Sequence, residues 1–303
     1  NQDALKFESA PSTGNGGPPA VIFVISPEFY HGSFGNLSTT LDNLPLSQAG
    51  GTTKGFGVTF MATKPFTEVF SLTFIYQWAY NEYSGGNLHP TARVALGERG
   101  WTNQHAMSNM AGLIGTINLG RYGTFQPSIL QGWDVYHGRE YVRHADGTVT
   151  SSAPRLSDDR ATSLMLWYNI DIPISDSFTL TPYVGWRSVF VVLNNSGETD
   201  TAWAHLVSAG LSAKYSTGPL SVIVRAGVNH RVSKADVPGL STRAVAPGVT
   251  HMGWMTSWDR TVATYGLALD YNFGPGVLEI SYDGFAGRDA AYHKGALVLI
   301  FPF

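Results

Sequence analysis

The chain lacks cysteine, is poor in charge and has no long apolar run. Its 0 Cys exclude a disulfide framework, a thiolate metal site and a cysteine nucleophile. Charged residues make up 14% of the 303, against about 25% in average soluble chains. The net charge of -3 leaves no basic footprint for nucleic acid. The longest apolar run, within residues 18–25, falls far short of the ~20 residues of a membrane helix. No signal peptide is visible. Glycine is abundant, at 34, and aromatics reach 13%. That balance excludes intrinsic disorder, which needs high charge and few aromatics.

Period-2 alternation runs through the chain in place of helical spacing. Phe70, Leu72, Phe74, Tyr76, Trp78 and Tyr80 form one face of a segment. Ser71, Thr73, Ile75, Gln77, Ala79 and Asn81 form the other. Residues 260–273 alternate more cleanly, with Tyr265, Leu267, Leu269 and Tyr271 opposing Thr264, Gly266, Ala268 and Asp270. Residues 20–34, 105–119 and 124–137 alternate more weakly. The pattern predicts twelve strands, at 20–34, 54–64, 67–81, 105–119, 123–138, 160–173, 177–193, 202–216, 218–233, 258–273, 276–286 and 291–303.

Five connections are short: Lys64–Thr67, Gly120–Gly123, Pro173–Asp176, Ser216–Pro219 and Gly274–Gly276. They alternate with mostly longer polar segments at 35–53, 82–104, 139–159, 194–201, 234–257 and 287–290. Short turns on one rim and long loops on the other are the pattern of a transmembrane β-barrel. The expected fold is therefore all-β: a single closed antiparallel transmembrane barrel with short periplasmic turns and long extracellular loops. Residues 1–18 are expected to be a flexible periplasmic segment and 19–303 the barrel. The alternative, a soluble β-sandwich, also alternates, but does not explain the regular short and long connections. The apolar faces carry Phe, Tyr, Trp and Leu, as lipid and its interfaces require. The opposite faces carry Gly, Ser, Thr, Asn, Arg and Asp, which fits a wet lumen.

The C-terminus reads Lys294-Gly-Ala-Leu-Val-Leu-Ile-Phe-Pro-Phe303. Leu297, Leu299, Phe301 and Phe303 alternate to a terminal Phe. This resembles the C-terminal strand signature of bacterial outer-membrane proteins, with Pro302 as a departure. The resemblance implies the outer membrane as location, contact with outer-membrane lipid and lipopolysaccharide, and handling by the barrel-assembly machinery. Residues 252–303 also resemble, loosely, the last strands of an autotransporter translocator domain. The residues that carry this are Trp258-Asp-Arg-Thr261, Tyr265-Gly-Leu-Ala-Leu269 and Leu278-Glu-Ile-Ser-Tyr-Asp283. In that family a helix before the first strand threads the lumen. Asn1 to Pro18, rich in Gly, Pro and Ser, departs from it.

The inward faces carry the candidate site. Arg187, Lys214, Arg225, Arg231 and Arg260 come from consecutive strands, and Asp134, Asp171, Asp270, Glu279 and Asp283 from neighbouring ones. Such charges set the selectivity of a pore, or pair and brace the barrel. The expected function is a narrow aqueous channel for small solutes or ions, with long loops free to bind a surface partner. Alternatives are an autotransporter-type translocator, an outer-membrane hydrolase and a structural or adhesive barrel. A lumen sealed by salt bridges favours the structural reading, and a His–Ser pair meeting on the outer wall favours the hydrolase. No catalytic residue, metal or cofactor is expected. His105-Ala-Met-Ser-Asn109 resembles the His-x-Ser-Asn of lipid hydrolases, but its i, i+3 spacing puts His105 and Ser108 on opposite faces of a strand. Asp158-Asp-Arg160 has no identifiable His partner, and His251-Met-Gly-Trp-Met255 has soft donors but no further ligand spacing.

Overall fold

A segment with lipid on one face has to find every backbone partner inside its own sheet. The computed structural model describes residues 21–35, 37–41, 44–48, 50–86, 89–90, 96–153, 155–195, 198–232, 260–274, 276–288 and 290–302. Twelve long strands meet the requirement: β1 (Ile22–Phe34), β2 (Gly51–Pro65), β3 (Phe70–Gly86), β4 (Arg99–Asn118), β5 (Thr124–Arg143), β6 (Arg155–Asn169), β7 (Phe178–Asn195), β8 (Glu198–Thr217), β9 (Leu220–Arg231), β10 (Thr261–Asn272), β11 (Val277–Ala286) and β12 (Ala290–Pro302). Each pairs antiparallel with the next. β12 returns to β1, with Ile22 opposite Pro302. The wall is closed, and its two ends lie on the short-turn rim.

The turns of that rim follow from local chemistry. In the β2–β3 turn, Thr67 Oγ1 accepts from the backbone N–H groups of Val69 and Phe70, at 3.2 and 2.9 Å. Gly218 and Gly274 take φ of +56° and +94° in the β8–β9 and β10–β11 turns, a region that favours glycine.

The expected strands are all present, and their ends on the other rim differ. β4, β5 and β8 run for 20 residues, whereas crossing a bilayer takes about 9–11. Above the membrane the ladder continues with polar side chains, so hydrophobic alternation stops before pairing does. The segment 194–201, expected as a longer loop, is therefore mostly strand, with Asn195 opposite Glu198. Segments 35–53 and 82–104, also expected as loops, contain a small rim sheet of Leu37–Leu41, Leu44–Gln48 and His89–Pro90. Two further short strands, Val149–Ser151 and Ile172–Ser175, extend the wall beside β5 and β7. The latter takes up most of the expected turn Pro173–Asp176. Asp158 and Asp159, expected on a loop, lie within β6.

The outward face is apolar and exposed on every side. Phe23, Ile25, Phe60, Phe74, Leu113, Ile129, Leu164, Leu166, Val184, Leu211, Val224, Leu267, Ile280 and Leu297 all belong to it. No helix among the described residues is long and apolar enough to cross a membrane. The apolar belt on a closed sheet does so instead.

Candidate functional site: the inner wall

Inward side chains sort into three zones. Val24, Met61, Ile114, Ala296 and Val298 pack together, flanked by Ile75 and Ile300. Tyr83, Ala161, Val189, Val191, Ala204, Leu206, Val262, Phe285 and Ala290 form a second apolar cluster nearer the long-loop rim. Between them lies a belt of polar and charged groups. The inner face of small and charged residues expected from the sequence is thus interrupted by two apolar clusters. The inward strand faces mix apolar residues with small ones, and inside the barrel these pack on one another.

The belt is strongest from β9 round to β3. Successive registers place Arg225 opposite Gly266, Gly266 opposite Asp283, Asp283 opposite Lys294 and Lys294 opposite Tyr30. Arg225 Nη1 meets Asp283 Oδ1 at 2.9 Å, bridging the strand between them. A side chain at Gly266 would run into both partners, so the glycine is what lets the pair cross. Lys294 Nζ lies 3.3 Å from Glu28 Oε1, and Thr59 Oγ1 donates to the same oxygen at 3.2 Å. Glu28 Oε2 accepts from the Tyr30 hydroxyl and from Gln77 Nε2. Glu28 is only 4% exposed. A carboxylate so buried is stable only when its lone pairs are taken up, and this one is held by four residues.

The other expected residues fall around this network. Asp270 stands opposite Glu279, with Lys214 and Arg225 near enough to act on Asp270. Asp171 accepts from Thr181 Oγ1 at 2.6 Å, and Asp134 from the Tyr136 hydroxyl at 3.2 Å. Arg187 Nε donates to Ser163 Oγ at 2.8 Å. Arg231 and Arg260 sit at the long-loop mouth, where Arg260 Nε donates to the Arg231 carbonyl at 3.1 Å. Leu297, Leu299 and Phe301 alternate with inward Ala296 and Val298, and Phe303 lies outside the described residues. So do His251–Met255 and residues 1–18.

Sequence reasoning did not single out Glu28, Tyr30, Gln77 or Lys294 as site residues. Glu28 and Tyr30 share a face with Ile22, Val24 and Ser26, while Phe23, Ile25 and Phe29 form the other. Both faces of β1 begin apolar, which hides the alternation. For Lys294 the signal was present. Counting back from outward Leu299 and Leu297 makes residue 294 inward.

From β6 to β9 the inner wall is built differently. The Trp167 ring lies over Gly185, and the hydroxyl end of Tyr183 over Gly210 and Gly227. The two rings stack at 4.9 Å.

The outer wall separates His105, exposed, from Ser108, buried inside. It does bring another pair together: Ser188 Oγ lies 2.9 Å from His205 Nδ1. Ser188 Oγ also accepts from Trp186 Nε1 at 2.9 Å, and the His205 ring lies beside Trp186 and Trp203. The surrounding backbone N–H groups belong to the β7–β8 ladder. Among the described residues, no group of three or more His, Asp or Glu has the arrangement of a metal site.

A closed antiparallel wall, an apolar belt outside and a charged belt inside define a transmembrane β-barrel of the bacterial outer-membrane type. No family model matches the chain, and no curated protein matches it. Solved structures do. The translocator domain of autotransporter NalP from Neisseria meningitidis superposes with a TM-score of 0.63 at 14% identity, over 95% of this chain and 90% of that one. The transport unit of autotransporter AIDA-I from Escherichia coli gives 0.58 at 12%, over 99% and 94%. The beta domain of the Bordetella autotransporter Brka gives 0.53 at 12%, over 92% and 99%. At such identity the likeness is one of fold: the barrel of this chain resembles those of autotransporter translocators.

Proposed function

We propose that the barrel is a passive conduit of the outer membrane, a narrow aqueous passage for small solutes or ions. The observation that carries this is the inward belt at mid-height. It joins Arg225–Asp283 and Lys294–Glu28 to inward polar atoms of Ser26, Asn81 and Ser108 that have no protein partner. Buried polar atoms of this kind are completed by water. A wet constriction lined by fixed charges passes ions by sign and size. The experiment is single-channel conductance of the refolded protein in a planar bilayer. Steady conductance is expected, with selectivity moving toward cations in Arg225→Glu. No conductance, in protein shown to be folded by its heat-dependent gel mobility, overturns the reading.

A second reading has its own support. The likeness in fold covers 90–99% of three translocator units, so the same lumen would convey a polypeptide. A folded barrel that does not conduct leaves this reading standing. The Ser188–His205 contact meets the condition set above for a hydrolase; we infer instead that it belongs to the interfacial ring of Trp186 and Trp203, because the backbone N–H groups around it are used by the sheet and leave no oxyanion donors. Phospholipid-ester turnover that disappears in Ser188→Ala would reverse that.

A further inference from the structure

On the outward face of β4 and β5 the register builds a ladder of four rungs. From the membrane side upward these are His105 opposite His137, Asn103 opposite Arg139, Trp101 opposite Tyr141 and Arg99 opposite Arg143. The rung below is Met107 opposite Val135, with Met107 51% exposed. Below that come Asn109 opposite Trp133 and, further down, Leu113 opposite Ile129. The His105–His137 rung is thus where this wall leaves the apolar belt. Trp101 and Tyr141 stack at 5.3 Å with planes 11° apart. Stacked Trp and Tyr suit the headgroup level.

The charges of the ladder are of one sign. Arg99, Arg139 and Arg143 are all exposed. Among the described residues none of the three has an acidic partner within ion-pair distance. Beside the ladder, Glu82 stands opposite His105 and is paired with Lys54 at 3.0 Å, and the nearest acids in sequence are engaged or turned away. Glu98 faces His144 at 3.7 Å, Asp146 accepts from Thr148, and Glu140 belongs to the inward face of β5. Like charges directly opposite on adjacent strands repel. Arg99–Arg143 is such a pair, held in register by a continuous ladder in a chain whose net charge is -3. An anion between them removes the repulsion, and Arg forks hold phosphate oxygens in two-point contacts.

We propose that this ladder docks the phosphate-bearing headgroup of an outer-leaflet glycolipid. Arg139 and the Arg99–Arg143 pair bind phosphate. His137 and the Nε2 edge of His105, whose Nδ1 is hydrogen-bonded to the Tyr80 hydroxyl at 2.8 Å, face the headgroup at the boundary, and the Trp101–Tyr141 stack lies against it. The lipid's chains run down the exposed face formed by Met107, Leu113 and Ile129. The bound lipid is an annular partner of the wall and leaves the lumen untouched.

The test is binding of diphosphorylated lipid A to the intact barrel in detergent, read by native mass spectrometry at fixed salt. The triple variant Arg99→Gln/Arg139→Gln/Arg143→Gln is expected to lose on the order of 100-fold in affinity, from about 1 kcal/mol per charge. Lipid A stripped of its phosphates is expected to bind the wild type as weakly as the diphosphorylated lipid binds the triple variant. Arg121→Gln, in the short turn on the opposite rim, is expected to bind like wild type. If the triple variant fails the heat-mobility test of folding, Arg139→Gln alone is expected to lose about 5-fold. Unchanged affinity in the folded variants, or equal binding of both lipids by the wild type, overturns the proposal.

Discussion

The inner wall of this barrel is held by two different devices. From β9 round to β3 it is tied by charge, through Arg225–Asp283 and the Lys294–Glu28 network. From β6 to β9 it is tied by rings seated on glycines, Trp167 over Gly185 and Tyr183 over Gly210 and Gly227. Glycine serves both, since Gly266 clears the way for Arg225 and Asp283. A wall two strands wide can be spanned only where the middle strand offers no side chain. What lies across the gap is then a choice between a salt-sensitive, polar tie and a salt-insensitive, apolar one. In a lumen that choice also decides which side presents charge to whatever passes.

The largest effect should come from leaving a charge alone in the charged half. Lys294→Met removes the cation from a carboxylate that is 4% exposed. Breaking a buried pair from one side costs about 3–5 kcal/mol. The loss should be read as a lower midpoint in guanidinium unfolding, followed by tryptophan fluorescence. The double variant Glu28→Gln/Lys294→Met should recover most of it, because no uncompensated charge remains. A single variant that unfolds like wild type would mean that Tyr30, Gln77 and Thr59 satisfy Glu28 without the lysine. The charged half would then be a hydrogen-bonded half.

The ring half should yield less and respond differently. Gly227→Val puts a branched side chain where the Tyr183 hydroxyl lies, and overpacking of this kind costs about 1–3 kcal/mol. Placed in a Tyr183→Ala background the same substitution should cost less, the remainder being the approach of the new Cβ to the Ala209 carbonyl at 2.7 Å, and a double-mutant cycle measures the coupling. Neither loss should change with salt. Equal costs in both backgrounds would show that Gly227 is needed for some reason other than the ring above it.

The sequence carried these two halves unequally. Strand number and the inward parity of Arg225, Asp283 and Asp270 are legible because lipid enforces period 2 on each strand separately. Strand ends on the long-loop rim are not, because above the membrane pairing persists without apolar alternation, as at Asn195 and Glu198. Partners are harder still. Lys294 and Glu28 stand 266 positions apart. They meet because β12 closes on β1, and the register of that closure belongs to the whole barrel rather than to either segment. Tyr183 over Gly210 and Gly227 also needs the registers of two ladders at once. Parity is local information, and contact across a barrel is not.

The smallest effect tests whether burial, rather than the bare presence of an ion pair, separates the two walls. Lys54 Nζ and Glu82 Oε2 lie 3.0 Å apart, closer than Lys294 and Glu28, but their side chains are 74% and 39% exposed. The two residues stand directly opposite on β2 and β3, on the outward face. Water screens such a pair, and holding two long side chains together costs entropy, so exposed pairs contribute about 0–1 kcal/mol. Lys54→Ala should therefore move the unfolding midpoint little, and raising the salt should remove what difference there is. Distance alone would rank this pair above Lys294–Glu28, whereas burial ranks it far below. A Lys54→Ala loss as large as that of Lys294→Met would break the comparison, because the outer rim would then be held as the inner belt is.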